Sequence, residues 1–147
     1  MNFLIIGSGF GIYGYLPAVY KNSNKIFLNI KYKKKIEKRI ELIRYLKRVI
    51  WYFDIKDINN KIDYVIIAQN PKQQFLIKKK ILLFLKPKHL FLEKPISHTP
   101  NKSLNFVEFL EKNKIKFSVG YLFTYLNWAK YIKKNLTYNQ KFEIMWR

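Results

Sequence analysis

Four of the chain's five glycines fall between residues 7 and 14, directly behind the apolar run Asn2–Ile6 (NFLII). Glycine lets a backbone turn sharply or lie against another group, so this cluster demands a tight turn. The stretch from Phe3 to Tyr20 carries no charge and is long enough to raise a signal peptide or a membrane span. Both are answered by its details: no basic residue precedes the apolar part, and Gly7, Gly9, Gly11, Gly14 and Pro17 interrupt any continuous helix. What remains is strand, turn and helix, the helix running from about Phe10 to Asn22. No membrane span is expected, and a cytoplasmic location is the default.

The same alternation continues along the chain. Lys25–Ile30 (KIFLNI) reads as a second strand, and Lys33–Leu46 places Ile36, Ile40, Ile43 and Leu46 at helical spacing, an amphipathic helix. Val49–Phe53 is a third strand, and Ile62–Ala68 (IDYVIIA) is apolar enough to lie at the centre of a sheet. Pro71 opens a helix to about Leu85, where its missing N–H costs nothing. His89–Leu92 (HLFL) is a fifth strand, Thr99 caps and Pro100 opens a helix to about Asn113, and Lys116–Val119 (KFSV) is a sixth strand. Strands separated by helices give an α/β fold, a doubly wound, mainly parallel sheet with helices on both faces. Residues 1–120 form that domain. Residues 121–147 add a helix, Trp128–Leu136, and a strand-like Lys141–Trp146 (KFEIMW), the expected entrance to a further domain that this chain does not contain.

Composition narrows the chemistry. There is no cysteine, which removes disulfides, thiolate nucleophiles and Cys-based metal sites, and only His89 and His98 remain as imidazoles, so no metal site is expected. The formal charge is +20, and 25 of the 29 basic residues are lysine, spread over almost every expected helix. Dispersed lysines read as solvated surface, while the densest cluster, Lys31 to Arg48, keeps a nucleic-acid or anionic-surface partner in view.

The run from Gly7 to Gly14 (GSGFGIYG) sits where a dinucleotide fingerprint sits, after the first strand and opening the first helix. Gly7 permits the turn, Gly9 lets the backbone approach a pyrophosphate, and the helix N-terminus offers unpaired amides. Ile12 replaces the third glycine of that pattern, and Gly11 takes the packing role one residue early. A glycine-rich turn of another α/β protein is the alternative. After the second strand, Asn29, Lys31 and Tyr32 stand where an acid would bind the ribose of NAD. Lys31 would instead attract a 2′-phosphate, which favours NADP over NAD, unless these lysines are only solvated surface. Glu93-Lys94-Pro95 ends the fifth strand at the edge where open α/β sheets bind ligands. A lysine there can position a hydroxyl or share in proton transfer; a surface ion pair is the bland alternative.

Together, residues 7–20 (GSGFGIYGYLPAVY), 62–74 (IDYVIIAQNPKQQ), 91–97 (FLEKPIS) and 117–136 (FSVGYLFTYLNWAKYIKKNL) resemble the N-terminal domain of the Gfo/Idh/MocA oxidoreductase family. The resemblance implies a Rossmann-type NAD(P)-binding domain with Gly7, Ser8, Gly9, Phe10, Gly11 and Ile12 at the pyrophosphate. Ala68, Gln69, Asn70, Pro71 and Gln74 would line the cofactor's other side. Glu93 and Lys94 would face the nicotinamide, Lys94 as the catalytic residue that binds and polarises the substrate, with a cis bond before Pro95 and Tyr121 closing the pocket. The implied reaction is hydride transfer with a sugar or sugar-nucleotide alcohol. Gln74 stands where many members have histidine, and members continue into a second α/β domain that supplies most substrate contacts. The expected partners are the dinucleotide, a sugar-type substrate, and a second copy or partner chain over the face that domain would cover. The rivals are a nucleotide-binding module without turnover and a basic protein binding nucleic acid or an anionic surface.

Overall fold

The computed structural model describes residues 1–135. Six strands form one fully parallel sheet in the order β3-β2-β1-β4-β5-β6, with β1 (Asn2–Ile6), β2 (Lys25–Asn29), β3 (Val49–Tyr52), β4 (Tyr64–Ile67), β5 (His89–Leu92) and β6 (Lys116–Val119). The order reverses beside β1, which pairs with β2 on one side and β4 on the other. This is the doubly wound α/β architecture that the alternation of elements implies, with β1 and β4 at its centre.

The unbroken apolar strands are explained by burial on both faces. Leu4 and Ile6 point into a core with Val65, Ile67, Leu90 and Leu92, closed by Ile81 of α4 (Pro71–Phe84) and by Phe106 and Leu110 of α5 (Pro100–Lys112). Phe3 and Ile5 point the other way, onto Ile12, Leu16, Ile36 and Leu42. Burying each such side chain is worth about 1.5–3 kcal/mol, so β1 anchors both layers. The two long helices start as the sequence dictates. The Asn70 side chain accepts from Gln73 N–H at 3.0 Å, and Thr99 accepts from Lys102 N–H at 3.3 Å, with Pro71 and Pro100 next in line.

Two helices differ from expectation. The first is a π-type turn, Gly11–Tyr15, running into α1 (Leu16–Tyr20). The helix expected over Lys33–Leu46 is broken into α2 (Lys33–Glu37) and α3 (Ile40–Ile43), flanked by 3₁₀ turns at Ile30–Tyr32 and Leu46–Arg48. Arg39 is extended (φ −122°, ψ 98°), which resets the helical phase: Leu42 is buried where the stripe placed Ile40, and Ile40 is 86% exposed. At the break the Arg39 guanidinium lies over the Tyr13 ring at 5.6 Å. α6 spans Asn127–Asn135. Leu136 and the strand-like stretch Lys141–Trp146 lie outside the described residues. No helix of the described residues is long and apolar enough to cross a membrane.

Candidate dinucleotide site

Strand register brings the quoted motifs to one edge. Ile6 pairs with Ile67, Ile67 with Leu92, and Leu92 with Val119, so the next residues, Gly7, Ala68, Glu93 and Gly120, stand in a row at the carboxyl ends of β1, β4, β5 and β6. Open parallel sheets bind ligands along this edge, at the point where strand order reverses.

The glycines of the first turn have three different jobs. Gly7 has φ +140°, and a Cβ built there runs into the Ala68 carbonyl, so only glycine fits. At Gly9 a Cβ would meet nothing within 4 Å; the position opens onto empty space. At Gly11 a Cβ would come 3.2 Å from Ile5 and 3.4 Å from Ala68, the close helix-to-strand approach usually assigned to the third glycine. Ile12 is fully buried in the core, and its N–H donates to the Gly9 carbonyl at 3.0 Å, so its side chain faces away from the edge. Phe10 is 48% exposed, its ring edge-on to Tyr15.

A cavity of about 370 Å³ lies against this turn, lined by Gly7, Ser8, Gly9, Lys31, Tyr32, Ala68, Gln69, Asn70 and Gln73. A second, of about 190 Å³, shares Lys31, Tyr32 and Gln69 with it and reaches Asn29, Tyr52, Asp54 and Lys80. Pro71, Gln74, Glu93, Lys94 and Tyr121 line neither. The open space at Gly9 and the Gln69 Oε1 atom, buried without a hydrogen-bond partner, both fit a polar ligand laid along the edge. The two cavities together leave room for an extended polar ligand against Gly7–Gly9.

The electrostatics agree with an anionic ligand. Lys31 stands at both cavities, while the Asn29 side chain is engaged, donating to the Phe53 carbonyl at 2.9 Å and accepting from Lys31 N–H at 3.1 Å. Asp54 is the acid of the second cavity, and its carboxylate caps the following turn by accepting from Lys56 N–H at 3.3 Å. Burial raises the Tyr32 pKa, partly offset by a hydrogen bond to the Gly7 backbone. Tyr52 is raised mainly by burial, then by Tyr32 and Asp54. Both phenols stay protonated and neutral at physiological pH.

At the other end of the edge, the Lys94–Pro95 bond is cis, as the family resemblance implies. Gln74 is fully buried under this turn, and its Nε2 donates to the carbonyls of Glu93 (2.7 Å), Ile96 (3.1 Å) and Pro95 (3.3 Å). Gln74 thus shapes the turn from beneath. Lys94 is exposed, and Tyr121 is 55% exposed. The Glu93 carboxylate takes a hydrogen bond from the Tyr15 hydroxyl.

Sequence reasoning placed Tyr32 beside Lys31 after the second strand but did not single out Tyr15, Asp54, Gln73 or Lys80. Tyr15 had a signal, lying four residues past Gly11 on the same helical face; Lys80 had none, because nothing in a lysine-rich helix singles it out. The basic cluster is largely engaged within the molecule. Lys35 Nζ donates to the Ser8 carbonyl at 2.8 Å, Arg48 donates to the Tyr20 carbonyl at 2.8 Å and lies over the Tyr20 ring, and Arg44 lies over Tyr45.

Residues 1–121 match the model of an oxidoreductase family with an NAD-binding Rossmann fold, Gfo/Idh/MocA. No curated protein matches the chain in sequence. Among solved structures it is similar to UDP-N-acetylglucosamine 3-dehydrogenase GnnA from Acidithiobacillus ferrooxidans (14% identity, TM-score 0.67, 91% of this chain and 41% of that one). It is also similar to a super-repressor mutant of Gal80p from Saccharomyces cerevisiae (13%, 0.69, 90% and 37%) and to an NAD-binding protein from Listeria innocua (20%, 0.59, 81% and 34%). The chain thus spans about two fifths or less of the length of each.

Proposed function

The chain belongs to the Gfo/Idh/MocA oxidoreductase family, and from that premise we propose that it binds NADP(H) along the carboxyl edge of its sheet and serves hydride transfer with a sugar or sugar-nucleotide alcohol. The observation that carries the reading is the glycine turn: Gly7 fixes its shape, Gly9 leaves the ligand's space, and Gly11 packs it down. Gly7, Ser8 and Gly9 hold the pyrophosphate, with Phe10 and Gly11 behind them. Lys31 takes the 2′-phosphate, supported by the missing acid after β2 and by its place at both cavities. Ala68, Gln69, Asn70 and Pro71 flank the cofactor. Gln74 acts through the turn it supports.

When bound, the nicotinamide supplies the hydride chemistry. Lys94 is the residue this chain offers to the alcohol: its exposed ammonium donates a hydrogen bond to the substrate oxygen and polarises it. A second wall, from a partner chain or further sequence, would orient the alcohol and exclude water. The apolar groove formed by Phe3, Tyr64, Ile66, His89 and Phe91 is the surface a second copy or partner would cover. A cytoplasmic location is part of this reading. The sugar-nucleotide preference draws on the similarity to the UDP-N-acetylglucosamine dehydrogenase. The similarity to Gal80p favours a second reading, a nucleotide-binding module without turnover.

The test is titration with NADPH and NADH followed by nicotinamide fluorescence. Wild type saturates with NADPH more tightly than NADH, Gly9→Val abolishes both while remaining folded, and Lys31→Ala erases the preference. Failure of wild type to bind either would refute the dinucleotide reading; binding without oxidation of any sugar-type alcohol, even when a chain supplying the second wall is added, would select the second.

A further inference from the structure

The ion pairs among the described residues are Lys33–Glu37, Arg39–Glu41 and Lys88–Asp63, so five of the eight described acids, Asp54, Asp57, Glu93, Glu108 and Glu111, take part in none. Glu93 differs from the other four in taking a hydrogen bond from a buried tyrosine hydroxyl. Its half-buried carboxylate is held by neutral donors instead. The Tyr15 hydroxyl donates to Oε1, and the Lys94 backbone N–H donates to Oε2 at 3.3 Å. The Glu93 N–H donates to the Ile67 carbonyl at 3.0 Å, fixing the backbone beneath. Tyr15 is itself rigidly placed: its ring is 8% exposed and stands edge-on between Phe10 (5.0 Å) and Phe91 (5.2 Å). Burial, and then the Glu93 hydrogen bond and charge, push its pKa up, so it remains a donor across the physiological range. Gly120, at the end of β6, leaves room for the pair; a Cβ there would come 3.0 Å from Tyr15 Oη and 3.1 Å from Glu93 Oε1.

A lysine or arginine on Glu93 would cancel its charge, whereas a neutral phenol fixes the carboxylate and leaves the charge in place. Resting on the dinucleotide reading above, we propose that Tyr15 is a positioning residue that holds the Glu93 carboxylate at the nicotinamide end of the edge, where its charge favours the oxidised, cationic cofactor over the reduced, neutral one. The first helix thereby serves both ends of the ligand: the turn through Gly9 that leads into it lies at the phosphates, and Tyr15 at the redox end.

The experiment measures dissociation constants for the oxidised and reduced cofactor in wild type, Tyr15→Phe, Glu93→Gln and the double variant. Removing the charge in Glu93→Gln shifts the ratio of the two constants toward the reduced form by about fivefold or more, the scale of one unit-charge interaction across several ångströms at an effective dielectric of about 20 or higher. Tyr15→Phe keeps the ring packing, loses the hydroxyl and shifts the ratio in the same direction by a smaller factor. The double variant matches Glu93→Gln alone, since the tyrosine acts through that carboxylate. Gly120→Ala, which crowds both oxygens, is a second perturbation that keeps Tyr15 and shifts the ratio the same way. A packing role alone would weaken both cofactor forms equally and would persist without Glu93. An unchanged ratio in Glu93→Gln, or a Tyr15→Phe shift of equal size with and without Glu93, overturns the proposal while the dinucleotide reading stands. Absence of binding by wild type to either form overturns both.

Discussion

The glycine turn predicts a sharp contrast between two substitutions two residues apart. In Gly7→Ala the new methyl meets the Ala68 carbonyl at a backbone φ of +140°. Holding a non-glycine residue there costs about 1–3 kcal/mol, and displacing the end of β4 costs about 1–3 kcal/mol more. Relaxation cannot be local, because Ala68 N–H also donates to the Ile6 carbonyl at 2.7 Å, tying the displaced residue to β1. The total, about 2–6 kcal/mol, is a large part of the roughly 5–15 kcal/mol that keeps a domain folded. In Gly9→Ala the methyl enters open space, and the loss of unfolded-state freedom leaves stability unchanged or raised by about 0.4–1 kcal/mol. Urea unfolding followed by circular dichroism separates the two. With a slope of about 1–3 kcal/mol per molar urea, Gly7→Ala loses one to several molar in midpoint, if it folds at all, while Gly9→Ala holds or gains slightly. Comparable losses in both, or a Gly7→Ala midpoint equal to wild type, would refute the account of the turn.

Gln74→Leu fills similar volume but strips the donor from the carbonyls of Glu93, Pro95 and Ile96. The two protons of Nε2 serve two of these carbonyls at a time, each costing about 1–3 kcal/mol when left dry, offset by about 1–3 kcal/mol for removing the unpartnered Gln74 Oε1, so the same unfolding assay should show a net loss of about 1–3 kcal/mol. At the amino edge of the sheet, Asp63 accepts from Lys88 Nζ at 2.8 Å and from Asn2 N–H at 2.9 Å, which hold its pKa below 3.8, its ordinary value. A depressed carboxylate contributes its stability in full above 3.8 and loses it as pH falls through the folded-state pKa. The difference in urea midpoint between wild type and Asp63→Asn is therefore flat around neutrality and shrinks below that value; a difference undiminished at pH 2 would contradict the assignment.

The strands were legible because a parallel strand buried on both faces must be apolar without alternation, and Leu4, Ile5, Val65, Ile66 and Ile67 are. The long helices were legible from their starts, where Asn70-Pro71 and Thr99-Pro100 supply cap and first residue together. The break at Arg39 was not. Ile36, Ile40, Ile43 and Leu46 make a consistent stripe, and nothing local distinguishes it from the arrangement adopted, in which Ile36 and Leu42 reach the core across an extended residue. Packing against Leu28 and Leu16 decides the phase, and those partners come from distant parts of the chain.

The site divides along the same line. Gly7, Gly9, Gly11, Lys31 and Asn70 stand out because each belongs to a short pattern at the end of a strand, although Gly7 and Gly11 are held to glycine by Ala68, far along the chain. Tyr15 and Glu93 meet across 78 residues, and their pairing follows from the register that aligns the ends of β1, β4, β5 and β6. The same register explains why four separate motifs each include the residue that follows a strand: a parallel sheet returns every crossover to the same edge, so each strand contributes its next residue to one line. The net positive charge also reads differently once placed. Lys35, Arg39, Arg44 and Arg48 serve carbonyls and tyrosine rings of the first two layers of structure, which leaves Lys31 as the member of that cluster that stands at both cavities. Position at the edge, rather than the density of lysines, is therefore what singles out Lys31 as the cation for the proposed 2′-phosphate.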